Sequence, residues 1–145
     1  MPKIEKITKQ TENPYVNLYL VEGKNKMDHP FRYYVASRAK TMEALKIKTK
    51  KNTPDGVLMY SLYGEKRDKI VLVRQYRVSI DDYIYEFPAG LVESGEEFHE
   101  AAVREMHEET GLTFHPLKVD PCYEKPFFTT IGMTDEACSA VYGWG

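Results

Sequence analysis

The sequence has little cysteine, no long apolar run and almost no net charge. Its two cysteines, Cys122 and Cys138, lack the spacing of a CxxC or Cys/His metal motif, so we expect two small buried thiols and no disulfide or catalytic thiol. No apolar run approaches the roughly 20 residues that span a bilayer, and the N-terminus has no apolar secretory segment. These absences predict a cytoplasmic protein with no membrane partner.

Neither sign of charge is present in large excess. The formal net charge is −2, from 20 Lys and Arg residues against 22 Asp and Glu residues. No overall basic field therefore favours binding to nucleic acid. Binding of a small anionic ligand is still possible, because a local cluster of cations is enough for it.

β-branched and aromatic segments, broken by turn signals, dominate the first half of the chain. Four of them have the length of a strand, at residues 15–23, 31–37, 56–64 and 69–77. Residues 48–56 combine a lysine run with Pro, Asp and Gly, which indicates a loop and a boundary. We therefore expect an N-terminal β meander at residues 1–50 and a second domain at residues 51–145.

The strongest helix signal follows a loop rich in proline and glycine. Ser94, with Glu97 three residues later, forms a capping box, and Gly111 stands where a left-handed residue ends a helix. The pattern predicts a helix from about residue 95 to about residue 110, followed by strands at residues 117–124 and 136–145.

Two glutamates of this helix lie on an unexpected side. At about 100° per residue, the apolar arc includes Phe98 and Met106, and the solvated face is filled by Glu97, Glu100, Arg104 and His107. Glu105 and Glu109 instead fall beside Phe98, with Glu108 flanking them. A pair of like charges four residues apart destabilises a helix, so we expect compensation by a hard divalent cation or by a semi-buried network of ion pairs.

The complete spacing resembles the Nudix box. That pattern is Gly, five residues, Glu, seven residues, Arg-Glu, an aliphatic, any residue, Glu-Glu, any residue, Gly and an aliphatic. It is matched without departure by Gly90, Glu96, Arg104, Glu105, Met106, Glu108, Glu109, Gly111 and Leu112. If each fixed residue type occurs at about one position in fifteen, a chance match has a probability on the order of one in a million.

The resemblance implies a fold and a reaction. The expected fold is α+β, a Nudix-type α/β/α sandwich around a mixed β-sheet, preceded by a small N-terminal antiparallel sheet. The expected reaction is attack of water on a phosphorus of a nucleoside diphosphate linked to another moiety. A loop, helix and loop would hold Mg²⁺ or Mn²⁺ as the cofactor.

The resemblance also assigns roles to particular residues. Glu105, Glu108 and Glu109 would be catalytic residues and metal ligands, and Arg104 would act with them by orienting the glutamates. Three further residues would shape the surrounding loops. Gly90 and Gly111 would supply backbone turns, and Glu96 would anchor the loop or add a carboxylate.

The segments VLVRQYR and YEFPAGLVESGE are similar to those of the ADP-ribose and ADP-sugar pyrophosphatase branch. That resemblance implies a metal ligand in the Ala89 carbonyl, a phosphate contact from the planar fork of Arg77 and a place in the substrate pocket for Glu86. Arg77 and Glu86 each have an alternative interpretation. Arg77 would form an ion pair at the end of its strand, and Glu86 would only stabilise the turn. The branch further implies a nucleoside diphosphate sugar as substrate, and a homodimer in which the N-terminal sheet completes the partner's site.

Two departures from the branch leave its substrate and activity open. Ile131 stands in TTIG where the branch has Ser-Pro-Gly, and the chain ends on a strand-like run. We therefore expect the C-terminal strand, the loop carboxylate and the closing helix to be missing, as in a fragment or a shortened member. The alternatives are another Nudix substrate, such as a nucleoside triphosphate, NADH or a dinucleoside polyphosphate, and a non-catalytic domain that binds a nucleotide sugar.

Overall fold

The computed structural model describes residues 1–145, which divide into two compact units. The first unit contains Met1–Asn52 together with Phe128–Glu136, and the second contains Thr53–Phe127 together with Ala137–Gly145. Neither helix of the chain has the length and apolar composition that a membrane crossing requires.

The first unit is built on a three-stranded antiparallel sheet. Its strands β1 (Lys3–Lys9), β2 (Asn17–Lys24) and β3 (Pro30–Ser37) pair in chain order, so the strands predicted at residues 15–23 and 31–37 are confirmed. β1 was not predicted, because its apolar residues are interrupted by lysines and a glutamate. Charged side chains are common on an edge strand, where they discourage pairing with another chain.

A short helix and a returning segment complete the first unit. The helix α1 (Lys46–Thr49) begins two residues before the loop predicted at residues 48–56 and overlaps its first two residues. The segment Phe128–Glu136 is attached to β3 by a hydrogen bond from Ala36 N to Met133 O of 2.9 Å and by one from Tyr33 Oη to Gly132 O of 2.6 Å.

The rest of the chain contains, in order, β4 (Gly56–Tyr63), β5 (Lys69–Ile70), β6 (Val73–Arg77), β7 (Asp82–Glu86), β8 (Ala89–Leu91), α2 (Phe98–Thr110), β9 (His115–Pro116), a 3₁₀ turn (Pro121–Tyr123), β10 (Phe127–Phe128) and β11 (Ala137–Trp144). Within the second unit β4 is the central strand. It pairs in parallel with β11 and antiparallel with β5 and β8, and β9 pairs antiparallel with β11. The predicted α+β class with a mixed sheet and a separate N-terminal antiparallel sheet is confirmed.

The core of the second unit lies between this sheet and α2. The buried residues that pack together there are Val57, Met59, Ala101, Ala102, Met106, Phe114 and Val141. β4 and β11 are rich in apolar residues, and alternate residues of β4, including Val57 and Met59, are buried against α2 while Tyr60 on the other face is 39% exposed. The apolar arc of α2 is thereby held against the sheet, and the adjoining glutamates are held at its border.

The start of α2 differs from the prediction. The helix begins at Phe98, and its N-cap is Glu97, whose side chain accepts a hydrogen bond of 2.8 Å from His99 N. The capping box at Ser94 is therefore wrong, because Gly95 has a φ of 85° and Glu96 N bonds to Glu93 O in a turn. The predicted end is confirmed, since Gly111 has a φ of 73° and its N–H bonds to His107 O at 2.8 Å.

Three smaller predictions also need correction. The strand predicted at residues 69–77 is divided into β5 and β6, and β6 pairs with β7 in a separate two-stranded sheet. The strand predicted at residues 117–124 is instead a 3₁₀ turn, which Asp120 caps by accepting a hydrogen bond from Cys122 N. This turn leaves Cys122 exposed where a buried thiol was predicted, and neither cysteine forms a disulfide.

Met106 offers a test of the core between α2 and the sheet. Its side chain is fully buried, so we expect Met106→Ala to lower the free energy of unfolding by about 2 to 5 kcal/mol through lost contacts and a residual cavity. Val103→Ala, on the same helix at 37% exposure, should cost less than about 1 kcal/mol. Urea unfolding followed by circular dichroism measures both, and equal losses would contradict this packing.

Candidate active site

Arg104, in the middle of α2, is the centre of a hydrogen-bonded cluster. Its Nε and Nη2 atoms donate to the two carboxylate oxygens of Glu96, each at 2.9 Å, and its Nη1 atom donates to Glu105 Oε1 at 2.9 Å. Nη2 also donates to Leu91 O at 3.1 Å, and Nη1 lies 3.4 Å from Glu108 Oε2. One guanidinium therefore joins β8, the following loop and α2.

The helical projection placed Arg104 on the solvated face, and this is wrong. The side chain is only 29% exposed, and Glu96 and Glu105 are each 15% exposed. A projection locates the Cα–Cβ direction but cannot show where a long side chain ends. The planar fork turns back to Glu96 because that carboxylate can accept two parallel hydrogen bonds.

This cluster fixes the charge of Glu96. The hydrogen bonds from Arg104 lower the pKa of Glu96 to about 2, helped by the backbone N–H of Glu93, which donates to Glu96 Oε2 at 2.9 Å. The same bonds from Glu96, followed by that of Glu105, raise the pKa of Arg104. Both groups are therefore ionised at neutral pH.

Gly90 lies in β8 and makes room for Glu105. A Cβ atom at this position would lie 1.9 Å from Glu105 Cδ and 2.3 Å from Glu105 Oε1, far inside contact distance. The backbone turn expected at Gly90 is absent, since its φ is not positive. The absence of a side chain allows β8 and the Glu105 carboxylate to approach closely.

Ala89 and Glu109 meet on the side of β8 that faces away from β4. The N–H of Met59 donates to Pro88 O at 2.8 Å. In antiparallel strands, hydrogen-bonded and non-hydrogen-bonded residue pairs alternate. The next pair in the register, Leu58 and Ala89, is therefore a non-hydrogen-bonded pair. The N–H and C=O of Ala89 are therefore both turned outward from β4. The N–H donates to Glu109 Oε2 at 3.1 Å.

Negative charge accumulates around Glu109. Burial raises its pKa, and the nearby carboxylates of Glu105 and Glu86 raise it further, while the Ala89 N–H and Arg77 oppose the shift. Glu86, Arg77 and Glu105 thus all lie close enough to Glu109 to influence its ionisation. Helix α2 and the β6–β7 hairpin contribute side chains to the same region.

Arg77 and Glu86 form an ion pair. Arg77 Nε donates to Glu86 Oε1 at 2.8 Å, with the side chains 46% and 23% exposed. The hydrogen bond from Glu86 raises the pKa of Arg77. The ion pair that the sequence left open for Arg77 is therefore present, and its exposure leaves guanidinium N–H groups accessible to a ligand.

The oxygen groups of this region suit a hard divalent cation. No group of three or more His, Cys, Asp or Glu side chains is gathered in a ready metal-binding cluster, because Arg104 and the Ala89 N–H hold two of the carboxylates. The donors are nevertheless of the type that Mg²⁺ and Mn²⁺ prefer: Glu105, Glu109, the more exposed Glu108 and the Ala89 carbonyl. A cation would also offset the negative charge that raises the pKa of Glu109.

The family model described as "NUDIX domain" matches residues 52–142. The chain belongs to the Nudix family. This match contains the whole of β8, the loop after it and α2, which are the elements that carry the cluster around Arg104.

Curated relatives of this Nudix chain include pyrophosphatases. It is 35% identical over 80 residues to the ADP-ribose pyrophosphatase of Saccharomyces cerevisiae, covering 54% of this chain and 35% of that protein. It is 36% identical over 87 residues to the ADP-sugar pyrophosphatase of Mus musculus (58% and 40%) and 44% identical over 61 residues to the ADP-ribose pyrophosphatase of Bacillus subtilis (41% and 33%). The resemblance to this branch is confirmed, and the matches span less than half of each relative's length.

A solved structure shares the fold. The chain described as an ADP compounds hydrolase superposes with a TM-score of 0.70 at 19% identity, covering 99% of this chain and 66% of that one. At this identity the similarity shows a shared fold and nothing of function.

Two backbone groups of the site could not be found from the sequence. The Leu91 carbonyl accepts from Arg104 and the Glu93 N–H donates to Glu96, yet a backbone group leaves no mark on residue type. Gly90 was identified through the box pattern, although the predicted reason was a backbone turn and the structure instead shows a close approach of β8 to Glu105.

Glu96 offers a test of the cluster by acid titration. Because its pKa is lowered to about 2 from the ordinary value of 4.5, the ionised carboxylate stabilises the folded chain above about pH 4.5, and this contribution is lost as the pH falls through about 2. We expect Glu96→Gln to lower the free energy of unfolding at pH 6, and its difference from the unsubstituted protein to shrink towards pH 2.

Urea unfolding at pH 6, 4 and 3 measures this difference. The matched control is Glu93→Gln, in the same turn, because Glu93 contacts Glu96 through its backbone only. The control should leave stability unchanged at each pH. A difference for Glu96→Gln that is the same at every pH would show that the carboxylate is not held ionised by Arg104.

Proposed function

We propose that this Nudix protein hydrolyses the pyrophosphate bond of ADP-ribose or a related nucleoside diphosphate sugar, with Mg²⁺ or Mn²⁺, to a nucleoside monophosphate and a sugar phosphate. The observation that carries the proposal is that two glutamates of α2 are held against β8, with Glu109 bonded to the Ala89 N–H at 3.1 Å and Glu105 packed on Gly90 and bonded to Arg104. The names of the matched pyrophosphatases support the substrate class.

Glu105, Glu108, Glu109 and the Ala89 carbonyl would hold the metal. When bound, such an ion neutralises charge on phosphate oxygens and favours ionisation of water. Arg104 keeps Glu105 in place through a 2.9 Å hydrogen bond that leaves the second carboxylate oxygen available. Glu96 in turn holds the guanidinium by two bonds, so it acts as a positioning residue.

Arg77 would bind the substrate's phosphates. Its Nε is occupied by Glu86, which orients the guanidinium and leaves two terminal nitrogens to donate to phosphate oxygens. Glu86 is thereby a positioning residue for Arg77. Because Glu86 also lies near Glu109, Glu86 and Arg77 border the region of the glutamates of α2. The homodimer and the cytoplasmic setting stay predictions.

Glu109 tests the reaction directly. We expect the protein to convert ADP-ribose to AMP and ribose 5-phosphate only with Mg²⁺ or Mn²⁺ present, and Glu109→Gln to lower kcat at least roughly 10- to 100-fold, since changes even to the partners of metal ligands cost that much. The loss follows because the amide keeps the shape of the side chain but removes its charge. Chromatography of the products measures turnover.

The matched control is Glu100→Gln, on the exposed face of the same helix, which should leave kcat unchanged. A screen should include NADH, nucleoside triphosphates and dinucleoside polyphosphates, and turnover of one of these in place of ADP-ribose would reassign the substrate. Binding of ADP-ribose without turnover of any compound would favour the non-catalytic alternative. Turnover that is unchanged in Glu109→Gln would refute the proposed mechanism.

Arg77 tests the phosphate contact separately. We expect Arg77→Gln to raise KM for ADP-ribose by roughly tenfold to a hundredfold, as for loss of a charge-assisted hydrogen bond of about 1.5 to 3 kcal/mol. Arg67→Gln, another exposed arginine of the second unit, is the control. Steady-state kinetics separate KM from kcat, and an unchanged KM would leave Arg77 as a partner of Glu86 alone.

A further inference from the structure

His99, in the first turn of α2, has a carboxylate at each nitrogen of its ring. Its Nε2 atom lies 2.7 Å from Glu124 Oε1, and its Nδ1 atom lies 3.0 Å from Glu97 Oε1 and 3.2 Å from Glu97 Oε2. Glu97 is the N-cap of α2, and Glu124 is the residue that ends the 3₁₀ turn Pro121–Tyr123. One imidazole therefore joins the start of the helix to a turn that the proposed hydrolysis does not use.

Only the protonated ring of His99 can satisfy both contacts. An imidazolium has two N–H donors, whereas a neutral imidazole has one donor and one acceptor, and an ionised carboxylate can only accept hydrogen bonds. Loss of the proton therefore leaves one ring nitrogen with its lone pair directed at a carboxylate oxygen. Deprotonation breaks one of the two contacts and removes the charge from the other.

The contact with Glu124 is the more enclosed of the two. The side chain of Glu124 is 16% exposed and that of His99 is 35% exposed, against 51% for Glu97. Several charged or titratable groups lie on the elements around the ring: Glu97, Glu100 and Arg104 of α2, Asp120, Glu124 and Lys125 at the turn, and His115 of β9. Of these, only Glu97 and Glu124 affect the ionisation of His99.

The two carboxylates determine how His99 titrates. Burial of the ring lowers its pKa, but the hydrogen bonds with Glu124 and Glu97 outweigh burial, so the pKa of His99 is raised above its ordinary value of 6.5. Because the pKa is higher in the folded chain, the contacts stabilise the fold fully below pH 6.5, and this contribution is lost as the pH rises through the raised pKa.

Glu124 has a second attachment that does not depend on a proton. Its backbone carbonyl accepts a hydrogen bond of 2.9 Å from the Oγ atom of Ser139, a buried residue of β11. Neither a hydroxyl group nor a backbone carbonyl ionises near neutral pH. Glu124 is thus held to the sheet at every pH, and to α2 only through His99.

We propose that His99 is a proton-dependent clasp, which as an imidazolium fastens the 3₁₀ turn to the first turn of α2 and which, on release of its proton to solvent, frees the turn to open locally. Local opening of a surface segment requires less free energy than global unfolding. The clasp is separate from the proposed hydrolysis, and its readouts do not involve turnover.

Hydrogen exchange and NMR of the complete protein test the clasp. After correction for the intrinsic exchange rate, the amides of Cys122, Tyr123 and Glu124 should lose protection at least about threefold between pH 5.5 and 8.5. The range ends at pH 8.5 because a hydrogen bond with Asp120 raises the pKa of the Cys122 thiol from its ordinary value of 9.0. The NMR titration of the His99 ring should have a midpoint above 6.5. A lower midpoint, or protection of the turn that does not vary with pH, would overturn the proposal.

Matched variants separate the clasp from a contact that is only structural. Glu124→Gln keeps the shape of the side chain, and its amide can bond to either form of the ring. Protection of the turn should therefore become nearly independent of pH, and the midpoint of His99 should fall. Ser139→Ala should instead speed exchange by the same factor at every pH and keep the pH dependence.

His107→Gln is the control, because His107 is an exposed histidine of the same helix. It should change neither the protection of the turn nor its pH dependence. Slow exchange in the buried part of α2 shows that each variant is folded. A pH dependence that persists in Glu124→Gln, or that disappears in Ser139→Ala, would refute the clasp.

Discussion

The two-pronged hydrogen bond between Arg104 and Glu96 is the interaction on which the candidate site depends. The same guanidinium connects β8 to α2, because Nη2 donates to the Leu91 carbonyl as well as to Glu96, and Nη1 donates to Glu105. A planar group with several donors in fixed directions can hold three elements at once, which a lysine could not do. The loop between β8 and α2 is therefore shaped by the ion pair of its Glu96 with Arg104 of α2, as well as by Gly95.

Packing and electrostatics meet at the border of the apolar arc of α2. Met106 holds the helix on the sheet, and this attachment brings Glu109 to the outward face of Ala89. There the carboxylate is partly desolvated and close to other carboxylates, which raises its pKa. A bound cation, as proposed above, would offset the repulsion between the carboxylates that the packing brings together at this border.

The two units present different chemistry. In the second unit, carboxylates and an exposed arginine surround outward backbone groups, an arrangement suited to phosphate and metal. In the first unit, an apolar cavity is lined by residues of β2, β3, α1 and the segment Phe128–Glu136, and its charged lining is one residue of each sign, Lys46 and Asp135.

The sequence by itself determined the end of α2 at Gly111 and the glutamates of the box, because capping and spacing are local, and the family resemblance that the box carries implied the α+β class. It could not show that Arg104 turns back to Glu96 or that Gly90 makes room for Glu105. Nor could it show that the strand predicted at residues 69–77 divides into β5 and β6, which belong to different sheets. These features depend on where long side chains end and which strands pair, and both are decided by contacts between residues distant in the chain. Only the tertiary structure brings such residues together.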